Sequence, residues 1–178
     1  SVGEFTYRVL VLRGRTVLFG CVDNLFAYLG DTWEYDPGIV AMWTPFGVGC
    51  AGTAGVPTLQ PDGISRPIVG STFVLELLAV PGSVAAISIG FSDQVWGTNT
   101  LPWDLGALGM TGCTLHSSPD FLFVTPATAG RATLAWPLPN DPSLIGIRFF
   151  DQGFVLDPSS NALGAVVSNA GVGILGPF

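Results

Sequence analysis

The sequence predicts an all-β protein of antiparallel sheets, arranged as a jelly-roll-like β-sandwich with an N-terminal four-stranded meander. Its 178 residues include 24 glycines and 14 prolines, which divide the chain into short segments rich in β-branched and aromatic residues. No segment keeps the apolar period of an amphipathic helix, so we expect at most a helical turn near residues 105–108. With 48% hydrophobic and 11% charged residues, the chain can bury a full core and is not disordered.

Four short strands are predicted in residues 1–43, which we take as the meander. Apolar, β-branched runs give strands at residues 6–14 and 16–21. Residues 31–36 alternate polar with aromatic side chains, and residues 39–43 form a fourth apolar run. The first five residues resemble a cloning remnant and carry little weight.

The sandwich is predicted to occupy residues 44–178. A connector rich in glycine and proline, residues 44–70, opens this module, and a loop is predicted at residues 93–102. Antiparallel sheets commonly bury one face and expose the other, which favours two packed sheets. The predicted strands cover residues 71–80, 84–92, 120–127, 131–138, 143–157 and 164–176.

The charge composition excludes several functions. The formal net charge is −7, with no lysine, six arginines and one histidine. No basic patch is available for nucleic acid or anionic lipid, and no apolar run is long enough to insert into a membrane. Few groups titrate near neutral pH, which argues against an enzyme, and we expect no cofactor.

Three cysteines, Cys21, Cys50 and Cys113, leave two alternatives open. Cys50 and Cys113 both lie in glycine-rich turns, where they either form a disulfide or remain buried thiols. A disulfide would indicate an oxidising compartment and leave Cys21 unpaired. The chain contains no CxxC pair and no Cys/His cluster in sequence, which excludes a typical zinc site.

His116, Ser117 and Asp120 are the candidate catalytic residues of an extracellular hydrolase, because together they offer a base, a nucleophile and an orienting carboxylate. Sequence proximity does not establish that geometry, and the glycines that surround a nucleophilic serine elbow are missing. The alternative is a surface turn with a polar histidine.

Asp141, Asp151 and Asp157 are candidate calcium ligands near strand ends. A structural calcium ion, or a metal ion serving a hydrolase, would need their oxygens to converge. The spacing of an EF-hand loop is absent, and two of these aspartates read equally well as turn residues.

Trp96 and Trp103 lie in predicted loops, with Asp93 and Asn99 close by. A flat aromatic ring beside amide and carboxylate groups is what a sugar-binding site needs. The alternative is that both rings close the end of the core.

Two segments of the chain resemble known families. Residues 16–43, "TVLFGCVDNLFAYLGDTWEYDPGIVAMW", resemble one Kelch repeat, with Cys21 where that pattern has a second glycine. A single repeat cannot bury both its faces, so the resemblance implies the last blade of a longer propeller.

Residues 46–178 are similar to a C-terminal module of secreted planctomycete-like and myxobacterium-like bacterial proteins, on phrases such as "LPWDLGALGMTGCTLHSSPD" and "NALGAVVSNAGVGILG". That family transfers no catalytic residue. It implies a secreted protein in which Cys50 and Cys113 are paired.

We therefore predict a secreted, non-catalytic accessory, binding or assembly module at the cell surface or in the extracellular matrix. We expect a homo-oligomer, because the exposed edges of the meander can pair with a second copy. A cell-surface ligand such as a glycan is the expected partner. The alternatives are the hydrolase, a carbohydrate-binding module and a structural end-cap.

Overall fold

The structure is a computed structural model, and it describes residues 8–12, 15–19, 32–35 and 38–177. The fold is all-β, with 49% strand and 4% helix, so the all-β antiparallel prediction is confirmed. The chain divides into two compact units, residues 1–38 and 39–178. None of the helices in the described ranges has the length and apolarity that a membrane span requires.

The first unit contains an antiparallel sheet whose described strands are β1 (Arg8–Leu12), β2 (Arg15–Phe19) and β3 (Thr32–Tyr35), in that order. The register pairs Leu12 with Arg15. Cys21 lies outside the described residues. The Kelch-like character of this unit stays a prediction.

The second unit contains the strands β4 (Met42–Phe46), β5 (Thr58–Pro61), β6 (Thr72–Leu78), β7 (Val84–Gly90), β8 (Val95–Trp96), β9 (Asn99–Thr100), β10 (Trp103–Asp104), β11 (Thr114–Leu115), β12 (Phe121–Thr128), β13 (Arg131–Pro137), β14 (Arg148–Leu156) and β15 (Ala165–Ile174). Eight of them form a continuous antiparallel sheet in the order β4-β15-β14-β7-β12-β13-β6-β5. Two short hairpins, β8-β9 and β10-β11, lie in the connection between β7 and β12.

The fourth strand of the predicted meander belongs to this second sheet, which corrects the prediction for residues 39–43. β4 pairs with β15, with Trp43 opposite Gly173. Glycines on β15 make room for aromatic rings: a Cβ at Gly171 would collide with the ring of Trp43, and one at Gly173 would collide with the ring of Phe149. Strand β4 therefore packs where β15 lacks side chains.

The sheet curls until it is nearly a closed barrel, and Asn169 on β15, the second strand from one edge, bonds to β5 at the other edge. The Leu59 N–H on β5 donates to Asn169 Oδ1 at 2.9 Å, and Asn169 Nδ2 donates to the Leu59 carbonyl at 3.0 Å. This side-chain amide replaces the missing backbone pairing between β5 and β15. The jelly-roll-like sandwich stays a prediction.

The core lies inside the curled sheet, centred on Phe149 of β14. Its ring packs edge-on against Trp136 at 5.1 Å and Phe73 at 6.0 Å between ring centroids. Fully burying a side chain of this size stabilises the fold by about 1.5–3 kcal/mol. The other fully buried large side chains include Leu59, Leu75, Leu77, Ile87, Ile89, Val155 and Val167.

Two local features differ from the predicted elements. The connector at residues 44–70 contains β5, and the strand predicted from residue 143 begins at Arg148. A short 3-10 helix, Pro142–Leu144, precedes that strand, and Asp141 caps it. The helical turn expected near residues 105–108 is a 3-10 helix, Gly106–Leu108.

Candidate functional site: an apolar cleft beside a tethered loop

Residues 91–119, which we name the cover loop, connect β7 to β12 and are held in place by a disulfide. Cys113 in this loop is bonded to Cys50, with the two Cα atoms 4.9 Å apart. The predicted pairing is thus confirmed. The bond fixes the cover loop to the segment that follows β4.

Gln152 on β14 holds the cover loop by hydrogen bonds. This side chain is fully buried; its Oε1 accepts from the His116 N–H at 2.8 Å, and its Nε2 donates to the Thr114 carbonyl at 2.9 Å. The second Nε2 donor reaches the Ser168 carbonyl on β15, also at 2.9 Å. Both amide hydrogens and the amide oxygen are therefore used, so the loop is tied to the sheet by buried bonds.

Beside the cover loop lies a cleft of about 540 Å³ whose lining side chains are all apolar. Its floor is the β7, β12 and β14 region of the sheet, where Leu122, Val124 and Leu156 are 57%, 70% and 60% exposed. The remaining lining residues come from the cover loop and from the β14–β15 loop; among them are Trp96, Trp103, Leu105, Leu108, Met110, Leu115 and Leu163. The two loops meet where the Leu163 N–H donates to the Gly109 carbonyl at 3.4 Å.

Trp96 and Trp103, the predicted ligand-binding tryptophans, both line this cleft. Their ring centroids are 6.2 Å apart with the planes tilted by 43°, and Trp96 is 37% exposed. Trp96 sits in the β8-β9 hairpin opposite Asn99, where Gly97 takes the positive φ of the turn. Asn99 and Asp93 are half-buried in this region but are not among the lining residues.

The predicted hydrolase residues share no hydrogen bond among the described residues. His116 Nε2 either donates to the Val48 carbonyl oxygen at 3.1 Å or accepts from the Val48 N–H at 3.3 Å, according to the tautomer of the ring. Asp120 accepts from the Ser118 hydroxyl at 2.9 Å. The Ser117 hydroxyl is buried and has no hydrogen-bond partner among the described residues. Within that part of the chain, no hydrogen bond joins these three residues into a relay.

The three candidate calcium ligands also serve different places. Asp141 accepts from the Ser143 N–H at 2.9 Å, and this backbone contact lowers the pKa of Asp141. Asp157 is buried and accepts from the Thr53 N–H and hydroxyl. Among residues 38–177 and the described strands before them, no group of three metal-ligating side chains gathers.

Asp151 is fully buried on β14 and accepts a hydrogen bond of 2.9 Å from Trp43 Nε1. Burial raises the pKa of Asp151 to about 7, against the smaller opposing effects of Trp43 and the Gly171 backbone. Its second oxygen, Oδ1, has no hydrogen-bond partner within the described residues.

Comparisons of the chain with protein-family models, with curated proteins and with solved structures find no match. Both resemblances drawn from the sequence stay predictions, and the cleft is the feature from which a function can be inferred.

Proposed function

We propose that this chain is a secreted, non-catalytic binding module, and that the apolar cleft beside the cover loop is its binding site. One observation carries the proposal: the cleft is lined throughout by apolar side chains and is open to solvent. The protein has a separate hydrophobic core, so these side chains are not exposed for lack of a core. The Cys50–Cys113 disulfide is compatible with an extracellular location.

The cleft brings together apolar residues that are individually exposed. Seven of its lining residues are between 37% and 70% exposed. Contiguous apolar patches on a protein surface often mark binding sites. The seven are Val84, Trp96, Leu108, Leu122, Val124, Leu156 and Leu163.

The carbohydrate-binding alternative is less well supported by this geometry. A sugar needs hydrogen-bond partners for its hydroxyl groups, and each hydroxyl buried without one costs about 1–3 kcal/mol. Asn99 and Asp93, the polar neighbours expected to supply them, lie outside the lining. A glycan array on which binding is lost in Trp96→Ala would restore this alternative.

The hydrolase alternative can be tested on its own. His116 packs on the backbone of residues 47 and 48, where a Cβ at Gly47 would lie 2.6 Å from the His116 Nε2. We expect no hydrolysis on a panel of esters and glycosides, with metal ions added and without. An activity that His116→Ala abolishes would overturn the non-catalytic proposal.

Self-association stays part of the proposal, located at the Kelch-like unit of residues 1–38 rather than at the cleft. Light scattering at micromolar concentration should give a mass above that of one chain. A strictly monomeric mass would remove the assembly role and leave the binding role intact.

The cleft is tested with Nile red, an uncharged dye whose emission reports an apolar environment. We expect saturable binding of one dye per chain, abolished in Leu122→Asp because a carboxylate would then lie on the cleft floor. The matched control is Ile64→Asp, since Ile64 is 96% exposed and lies outside the cleft. Circular dichroism should be unchanged in both variants. Equal binding by all three proteins would refute the assignment.

A further inference from the structure

The cleft lacks hydrogen-bonding side chains, and this absence restricts the class of ligand that it can bind. The inference about the ligand rests on the proposed function of the cleft as a binding site. The lining side chains offer no hydrogen-bonding group apart from the indole N–H of Trp96 and Trp103. A peptide or sugar placed on the floor would leave its polar groups without partners, and each such loss weakens binding by roughly tenfold or more.

The floor also excludes an added strand. β7 pairs with both β12 and β14, and β14 pairs in turn with β15. Strand addition needs an edge whose backbone groups are unpaired, and these strands stand inside the sheet. The cleft therefore suits a ligand whose buried part has no polar atoms at all.

The volume sets the size of that ligand. A cavity of about 150 Å³ accommodates benzene, so a cleft of about 540 Å³ has room for roughly 20 non-hydrogen atoms on the same ratio. This is enough for a chain of about twelve carbons and part of its head group. Each buried CH₂ strengthens binding by up to about fourfold.

The charges nearby restrict the head group. The cover loop carries Asp93 and Asp104 but no lysine or arginine, and the whole chain has no lysine. Asp104 is exposed and follows Trp103, which lines the cleft. An anionic head would be repelled here, whereas the indole faces attract a cation.

We infer that the cleft binds one unbranched aliphatic chain of about twelve carbons and discriminates against an anionic head group. The floor from β7, β12 and β14 takes the chain, and the tryptophan side of the cleft faces the head group. The ligand class is thus a neutral or cationic single-chain amphiphile.

Titration calorimetry with alkyltrimethylammonium ions of eight, ten and twelve carbons, kept below their micelle concentrations, tests the chain. We expect one site and an affinity that rises about threefold to fourfold per CH₂. Val124→Gln should lower the affinity at least tenfold, while Ile64→Gln should not change it. Near-ultraviolet circular dichroism must stay native throughout. Affinity that does not change with chain length would overturn the inference.

The head group is tested with dodecanoate and an uncharged dodecyl glycoside at the same chain length. We expect dodecanoate to bind at least tenfold more weakly than the trimethylammonium ion, and Asp104→Asn to narrow that difference. Equal binding of dodecanoate would refute the charge discrimination.

If Nile red binds and no amphiphile does, the cleft remains a binding site but the aliphatic ligand class is wrong. Concentration-dependent dimers that Leu122→Asp dissociates, with no amphiphile bound, would assign the cleft to a second copy and overturn the inference.

Discussion

Replacing Asp151 by asparagine should stabilise this protein at alkaline pH and remove most of its pH dependence between pH 4 and pH 7. The carboxyl is fully buried, and its one hydrogen bond within the described residues is from Trp43 Nε1 to Oδ2, at 2.9 Å. Asparagine keeps an oxygen acceptor for this indole and never carries a charge. The substitution therefore removes the buried ionisation and keeps the acceptor for Trp43.

The expected magnitude follows from the pKa of Asp151, which burial raises from 3.8 to about 7. Between these two values the folded protein holds a proton that the unfolded chain has lost, so stability falls as the pH rises and levels off above pH 7. A difference of about three in pKa corresponds to about 4 kcal/mol. The wild-type protein is thus expected to lose this full amount of stability at pH 8, and almost none of it near pH 4.

Urea denaturation of wild type and Asp151→Asn at pH 4.5, 6.0, 7.5 and 8.5 measures this directly. The difference in the free energy of unfolding should grow from about 1 kcal/mol at pH 4.5 to about 4 kcal/mol at pH 8.5, in favour of the variant. Asp141→Asn serves as the control. The Ser143 backbone lowers the pKa of Asp141, so the titration of Asp141 changes the free energy of unfolding only below pH 4. Parallel stability curves for wild type and Asp151→Asn would refute the reasoning.

Three further predictions concern the tethers of the fold. Cys50→Ala combined with Cys113→Ala should lower the free energy of unfolding by about 4 kcal/mol, because the disulfide closes a sequence separation of 63 residues; a loss below 1 kcal/mol in urea denaturation would contradict this. Gln152→Ala leaves three buried backbone groups without their partner, so we expect a loss of about 2–4 kcal/mol and faster amide exchange in the cover loop; unchanged exchange would refute the tether. Asn169→Ala removes both hydrogen bonds to Leu59, so it should lower the free energy of unfolding by about 1–3 kcal/mol and speed hydrogen exchange of the Leu59 amide. Asn169→Asp should reproduce both changes only in part.

Most of the strands could be predicted because their residues match local preferences. The β12–β13 hairpin shows this: β12 is rich in β-branched and aromatic residues, and Ala129 and Gly130 take the positive φ angles that a two-residue turn needs. β5 could not be predicted in the same way. It is four residues long, only Leu59 of the four is buried, and its outer partner is the side chain of Asn169 rather than a strand.

The tryptophan side of the cleft could be predicted from the sequence, but the sheet side could not. Trp96 and Trp103 stand out as large aromatics in a polar loop. Leu122 and Val124 alternate along β12 with phenylalanines, so both faces of the strand are apolar and period two does not show which face meets solvent. The sequence therefore pointed to a sugar site at these tryptophans, whereas the floor of the cleft favours an aliphatic ligand.

The polar residues that looked like candidates for chemistry hold loops in place instead, and composition explains why. With 11% charged residues, the chain has few side chains to pair with the backbone groups of its long loops, and such groups cost about 1–3 kcal/mol each if buried unpaired. Asp141 accepts from the Ser143 N–H and Asp157 from the Thr53 N–H. Carboxylates committed in this way are poor donors to a metal or a substrate. Open apolar surface is then what remains for the binding role that we propose for the cleft.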